Sequence, residues 1–399
     1  MAEDVGTKFR GNVDNLSVRI PITKLISAEN FNLEREKIFR RQWLYAGDAA
    51  DIPEPNSYQV VEIPTLNASL LLMRDSAGTV RAFHNVCTHR GNKLVRSGHG
   101  CKLRLNCNFH GWSFGTDGKL AGIPDQTQFR ELDKSLLNLP RVHVAVWCGH
   151  IFVNFAELPT HTLQEWLGDL YNQFDGYYEN KPRRTSYQVD VATNWHLGMN
   201  SFSEGYHTLF LHKNTAPDYQ GGSGNAMRHR PYMELTKYHT RFSAPSNPNH
   251  RETPAEVAAY KNTHKLLPSF EAKRPALPPG VNPGRAENWA FDVVKLFPNL
   301  IIVNGDYYHL MLRFWPVSES RTIIQADRFF FPARKASDEM GIAFSKVRAR
   351  EILREDLNTL EACQQMLSTG AITHLQLSQQ ELALQHHYKV VQSVLEDAA

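Results

Sequence analysis

Apolar and polar positions alternate in short runs over the first third of the chain. Runs at 58–63, 69–73, 80–85, 142–147 and 150–155 are rich in β-prone residues and are separated by Gly, Asp and Asn. This pattern predicts a small all-β domain. Ahead of it, Ser27 can cap a helix over 28–43, with Glu29 and Glu34 early and Lys37, Arg40 and Arg41 late, a charge order that suits the helix dipole. Residues 51–56 read as a loop, and helical spacing appears over 162–174. Residues 213–290 are rich in Pro, Gly, Asn and His and predict few regular elements, as in a lid, a binding loop or a partner surface. Strand patterns return at 290–296, 300–303, 307–315 and 322–331. A long helix follows, which Ser337 is expected to cap, Asp338 and Glu339 to open and Gly370 to close. The chain has no internal repeat and no low-complexity tract. Gly221-Gly222-Ser223-Gly224 follows no strand and lacks a phosphate-binding fingerprint, so it reads as a flexible loop.

Composition narrows the classes. The 399 residues are enough for two or three domains, and 42% hydrophobic with 21% charged is globular. A net charge of +3, from 44 basic and 41 acidic residues, argues against a nucleic-acid partner. Residues 1–10 are polar, unlike a signal peptide, and the apolar stretch 144–155 is interrupted by Cys148-Gly149-His150 and too short to span a bilayer. The expectation is a soluble cytoplasmic protein with no membrane segment. Five cysteines is an odd number, and two lie beside histidines, which suits metal binding better than disulfides.

The first candidate site is Cys87-Thr88-His89-Arg90-Gly91, then Cys107-Asn108-Phe109-His110-Gly111-Trp112. It is a C-x-H pair and a C-x-x-H pair on two tight loops, able to grip one centre from both sides. Two thiolates and two neutral imidazoles suit a two-iron, two-sulfur cluster of raised potential. A structural zinc site is the alternative, although zinc ribbons usually use C-x-x-C knuckles. Cys101, Cys148 and Cys363 fall outside the pattern and read as buried thiols.

A second set lies in residues 194–212, which contain Asn200, Glu204, His207 and His212. Two imidazoles and a carboxylate suit iron(II) and leave positions open for dioxygen and substrate. On a regular helix, residues five apart point roughly 140° apart, so both histidines reach one metal only if the helix is distorted, as by a π-bulge, or the metal lies at its end. With 18 histidines in the chain, this spacing also arises by chance. His386-His387 reads as an exposed tail pair, and Phe202, Phe210, Phe329, Phe330 and Phe331 as core or pocket candidates. No nicotinamide or flavin site is evident.

The two sets together resemble the Rieske non-haem iron oxygenase large subunits. The cluster motif matches with its spacing, and Asn194-Trp195, Asn200, Glu204, Tyr206-His207 and His212 occupy the places of the family's catalytic motif. His196 stands where the family commonly has Lys. Glu204 stands where most ring-hydroxylating members have Asp, and where enzymes resembling carnitine and choline monooxygenases have Glu.

The resemblance implies an α+β architecture. A helical segment, 1–44, precedes an antiparallel β Rieske domain, 45–160, and a helix-grip catalytic domain, 161–399, whose curved antiparallel sheet holds a long C-terminal helix. It implies that Cys87, His89, Cys107 and His110 hold a [2Fe-2S] cluster and that His207, His212 and Asp356 hold a mononuclear Fe(2+). Glu355 is the rival third ligand and Glu361 a distant third. It implies catalytic roles for Asn200 and for Glu204, the latter bridging His207 to His110 or His89 of a neighbouring chain. The implied reaction activates dioxygen and hydroxylates a hydrophobic, ring-containing substrate, with a quaternary amine as the alternative. A reductase, with or without a ferredoxin, would supply NAD(P)H electrons to a homotrimer or a trimer with small β subunits. A stand-alone Rieske electron carrier is the competing class, and it would not need residues beyond about 160.

Overall fold

The computed structural model describes residues 8–178, 181–216, 230–247, 249–260, 277–305 and 308–397. Gly221-Gly222-Ser223-Gly224 lies outside them. Residues 35–166 form one compact unit, and residues up to 34 join 167 onwards in a second.

In the unit 35–166 the expected strands are present, as Ser57–Ile63, Ala68–Arg74, Val80–His84, Arg141–Trp147 and His150–Asn154. Leu44–Asp48 and His99–Cys101 complete a seven-stranded sheet, ordered 44–48, 150–154, 141–147, 80–84, 68–74, 57–63, 99–101. Its strand pairs are antiparallel. A second sheet joins Leu120–Gly122, Ser113–Gly115 and Arg104–Asn106. These three-residue strands are too short to show a periodicity in sequence.

In the other unit, eight strands are ordered 8–10, 232–235, 240–245, 289–296, 300–305, 308–318, 321–330, 183–191. All neighbours are antiparallel except 8–10 with 232–235. The fold class is α+β, with mostly antiparallel sheets and the larger one curled around the long helix Ala336–Leu367. That helix buries Leu353, Asp356, Leu357, Leu360, Gln364 and Leu367 at three- and four-residue spacing, one stripe toward the core. It is tied at its far end by Gln364 Oε1 and Glu361 Oε1, which accept from the backbone N–H groups of Asn194 (2.9 Å) and Ala192 (3.0 Å).

Several expectations are corrected. The helix after Ser27 is α only over Ala28–Glu34 and becomes a π-helix over Arg35–Phe39, although the Ser27 hydroxyl does accept from Asn30 N at 3.1 Å. The helix at 162–174 is α only over Leu163–Leu167. Ser337 lies inside the long helix; Asp338 reaches back to accept from the backbone of Arg334 and Lys335. Cys101 and Cys363 are exposed and Cys148 half-buried, so none is a buried thiol. Phe210 is exposed, not core. His386 and His387 are buried on the helix Leu382–Asp397 rather than exposed. No helix among the described residues is long and apolar enough to cross a membrane.

Candidate functional site

The two cysteine–histidine loops are built alike. Cys87 N donates to Asn92 O (2.8 Å) and Gly91 N to Cys87 O (2.9 Å); five and four residues onward in the other loop, Cys107 N donates to Trp112 O (2.7 Å) and Gly111 N to Cys107 O (2.9 Å). Each turn closes through a glycine in the left-handed region, Gly91 at φ 73° and Gly111 at φ 72°, where a side chain would be strained. Both sulfurs are buried in an apolar cluster with Leu94, Leu105 and Trp112. The histidines lie further out, His89 half-buried and His110 exposed. Their rings meet edge-on at 4.8 Å, and His89 stacks on Trp112 at 4.7 Å. Burial pushes the Cys87 thiol up. Burial also opposes ionisation of Cys107, but backbone N–H groups and the Asn92 side chain outweigh it and pull that thiol down. The Nδ1 of His89 is buried without a hydrogen-bond partner.

In the other unit, His207, His212 and Asp356 offer ligand atoms that all lie within 4.8 Å of one another. No π-bulge brings the histidines together. They flank a single turn of helix, Thr208–Leu211, preceded by a break after Ser201; His207 starts the turn and His212 leaves it at ψ 22°. Asp356 comes from the buried stripe of the long helix. Its Oδ1 lies 3.6 Å from His207 Nε2 and 3.4 Å from His212 Nε2, yet it is buried and hydrogen-bonds to neither.

Each imidazole is fixed from behind. His207 Nδ1 donates to Glu204 Oε1, and His212 Nδ1 donates to Glu355 Oε2 at 2.8 Å. Glu355 is therefore not in Asp356's place but supports His212, and it also accepts from Thr215 Oγ1 at 2.6 Å. Glu361 binds backbone and takes no part. Burial would raise the Glu204 carboxyl, but His207 and two backbone N–H groups hold it below its usual range. Burial lowers His212, yet Asp356 and Glu355 outweigh it and raise it. Asn200 is not brought into the cluster: its Oδ1 accepts from the buried Lys295 Nζ at 2.7 Å.

Behind the helix Trp195–Ser201 lies a buried polar chain. Glu34 accepts from Trp195 Nε1 and His196 Nε2, both at 2.8 Å, and His196 Nδ1 meets His387 Nε2 at 2.8 Å. A histidine where the family commonly has Lys is the one hint.

Both donor sets fit iron centres. A buried carboxylate oxygen and a buried ring nitrogen without partners are costly unless something binds there. Two imidazoles held in one tautomer and one carboxylate suit ferrous iron. A cavity of about 880 Å³ opens on His207, His212 and Asp356 and is walled by Phe202, Phe242, Trp289, Phe291 and Tyr308.

Residues 179–397 match the family model of the ring hydroxylating alpha subunit catalytic domain, and residues 42–142 match the Rieske [2Fe-2S] domain. The chain is 28% identical to the anthranilate 1,2-dioxygenase large subunit of Acinetobacter baylyi, over 66% of this chain and 56% of that protein. It is 32% identical to the glycine betaine monooxygenase oxygenase subunit of Pseudomonas aeruginosa, over 44% of this chain and 41% of that one. The chain thus spans about half the length of the curated relatives it matches. Among solved structures, a quaternary ammonium Rieske monooxygenase superposes with a TM-score of 0.76 at 20% identity, covering 96% of this chain and 99% of that one. Naphthalene 1,2-dioxygenase from a Rhodococcus species gives 0.72 at 19%, covering 94% of each.

Proposed function

The chain belongs to the ring-hydroxylating alpha-subunit family, with a Rieske [2Fe-2S] domain and a catalytic domain that binds mononuclear iron, and from this premise we propose that it is a terminal oxygenase that hydroxylates a hydrophobic, ring-containing substrate. The observation that carries the reading is the triangle of His207, His212 and Asp356 opening on an aromatic-walled cavity. A pure electron carrier has no use for it.

In this reading Cys87, Cys107, His89 and His110 hold the cluster, and His207, His212 and Asp356 hold the iron. The iron supplies reductive activation of dioxygen. The chain supplies position and exclusion of water. Glu204 and Glu355 accept hydrogen bonds from the Nδ1–H groups of His207 and His212 and leave each Nε2 lone pair facing Asp356. The aromatic walls suit an apolar substrate skeleton, which would displace water from the cavity on binding.

Electrons would come from a separate reductase, with or without a ferredoxin. The active unit would be a homotrimer or a trimer with small β subunits, in which one copy's cluster edge meets another copy's iron site. Exposed apolar residues beside both centres support this, Phe109 next to His110, and Tyr206 and Phe210 around His207. Glu204 would then link His207 to the neighbour's His110, or to its His89. A quaternary-amine substrate is the second reading, favoured by Glu204 and by the aromatic faces of the cavity.

The test is oxygen uptake by purified, red-brown protein supplied with a reductase, NADH and a panel of ring compounds. Substrate-dependent uptake is expected. Cluster reduction without any uptake would leave the electron-carrier reading standing.

A further inference from the structure

Three arginines line the cavity: Arg230, Arg328 and Arg348. Arg348 is engaged by Glu256 and by the carbonyl of Thr215. Arg230 lies over the Phe242 ring. Arg328 is placed differently. It belongs to the strand Arg321–Phe330, on the same face as Ile324, Ala326 and Phe330, all of which are fully buried. Only 7% of it is exposed. Its guanidinium lies 3.9 Å from the Tyr308 ring centroid and 5.3 Å from that of Phe330. One Nη donates to Ser345 Oγ on the long helix at 2.9 Å, and its Nε is buried without a partner. Among the described residues it forms no ion pair.

A guanidinium cannot shed its proton, so it cannot escape burial by neutralising. A buried charge without a counter-charge is strongly unfavourable. The neighbouring carboxylates do not relieve it. Asp327, next in sequence, points to the other face of the strand and is taken by Arg313 and Ser186. Glu256 is taken by Arg348, and Glu252 and Glu287 are exposed. Arg328 lines the cavity, the Nη that bonds Ser345 leaves its other Nη donors for a group bound there, and a guanidinium matches a carboxylate in charge and geometry.

We propose that the substrate carries a carboxylate and that Arg328, with Ser345 steadying it, anchors that group while the aromatic walls carry the carbon skeleton toward His207, His212 and Asp356. The proposal rests on the oxygenase reading for the identity of the cavity as the substrate site.

The test is calorimetric binding to the metal-loaded protein of three acid and amide pairs: benzoate and benzamide, phenylacetate and its amide, 3-phenylpropionate and its amide. At least one acid should bind about tenfold or more tightly than its amide, the range expected for a charge-assisted hydrogen-bonded pair. Arg328→Met should reduce the acid's affinity to that of the amide and leave the amide unchanged. Arg328→Lys, which keeps the charge but loses the fork, should fall between. Arg328→Met should also melt no lower than the parent, because it removes an unpaired buried charge; a lower melting point together with lost binding of both acid and amide would mark a purely structural arginine and overturn the anchor. No acid preference in any pair, or one that survives in Arg328→Met, would do the same. Iron content and oxygen uptake on the same samples separate the two claims. Iron-loaded, oxygen-consuming protein without acid preference refutes the anchor alone, whereas Arg328-dependent acid binding without oxygen uptake supports the anchor and refutes the oxygenase reading.

Discussion

His212 Nδ1–H donates a hydrogen bond to Glu355 at 2.8 Å, and its Nε2 faces Asp356, the next residue of the same helix. A carboxylate can only accept, so this hydrogen bond fixes the tautomer. Adjacent positions on one helix thus divide the work, one orienting the imidazole and the other completing the triangle.

That division predicts different losses. Asp356→Ala should abolish binding of the mononuclear iron and leave the visible spectrum of the cluster intact. Glu355→Gln should keep the iron but weaken its retention by roughly 10–100-fold, the usual effect of removing a group that orients a ligand. Iron analysis after dialysis against a chelator reads both. Equal iron loss in the two variants would contradict the assignment.

The sequence carried what is local. The C-x-H and C-x-x-H loops and the strands at 289–330 were legible, because each depends on spacing within a short window, whereas the compact units divide after Glu34 and Trp166 rather than after residues 44 and 160. The strands Tyr232–Leu235 and Thr240–Pro245 were not, because they bury polar residues: Glu234 pairs with Arg241, and Ser243 donates to Asp292 at 2.6 Å. Their polarity imitates a loop. The chain Glu34, His196, His387 joins residues more than 150 positions apart, and no window sees it. Asp356 as the third ligand, with Glu355 as its rival, rested on the resemblance alone, because the face of the long helix that each residue occupies is not visible in a short window.

Cluster ligation is tested by His89→Cys. The added thiolate should shift the spectrum toward that of an all-cysteine ferredoxin and lower the reduction potential by a few hundred mV, on the order of the gap between the two cluster classes. An unchanged spectrum and potential would remove His89 from the cluster.

Glu204→Gln keeps the size of the side chain and removes its charge. Both metal centres should remain, and turnover should fall at least about tenfold, as for loss of an orienting carboxylate. Rapid-mixing measurement of cluster reoxidation should show the slow step there. Wild-type turnover in Glu204→Gln and in Glu204→Ala would mean that electrons cross by another route.

Stability should carry a pH signature from Asp292. Its carboxyl is fully buried, and burial raises it from 3.8 to about 6 despite bonds from Ser243, Asn282 and Trp289. The folded state holds the proton more tightly than the unfolded state. The associated stability is therefore fully present below about pH 4 and is lost as pH rises through 6. At about 1.4 kcal/mol per unit the loss is about 3 kcal/mol. Denaturant unfolding of the parent minus that of Asp292→Asn, between pH 4 and 7, isolates it; a difference that grows in the opposite direction would reverse the sign.

The most direct test of the central claim is a single turnover in ¹⁸O₂. Protein with its cluster reduced and ferrous iron bound is mixed with a ring substrate and labelled dioxygen, without reductase, beside Asp356→Ala. The account predicts reoxidation of the cluster and a hydroxylated product carrying ¹⁸O in the parent, and a cluster that stays reduced with no product in Asp356→Ala. Labelled product from Asp356→Ala, or reoxidation in the parent with no labelled product from any ring substrate, would contradict it.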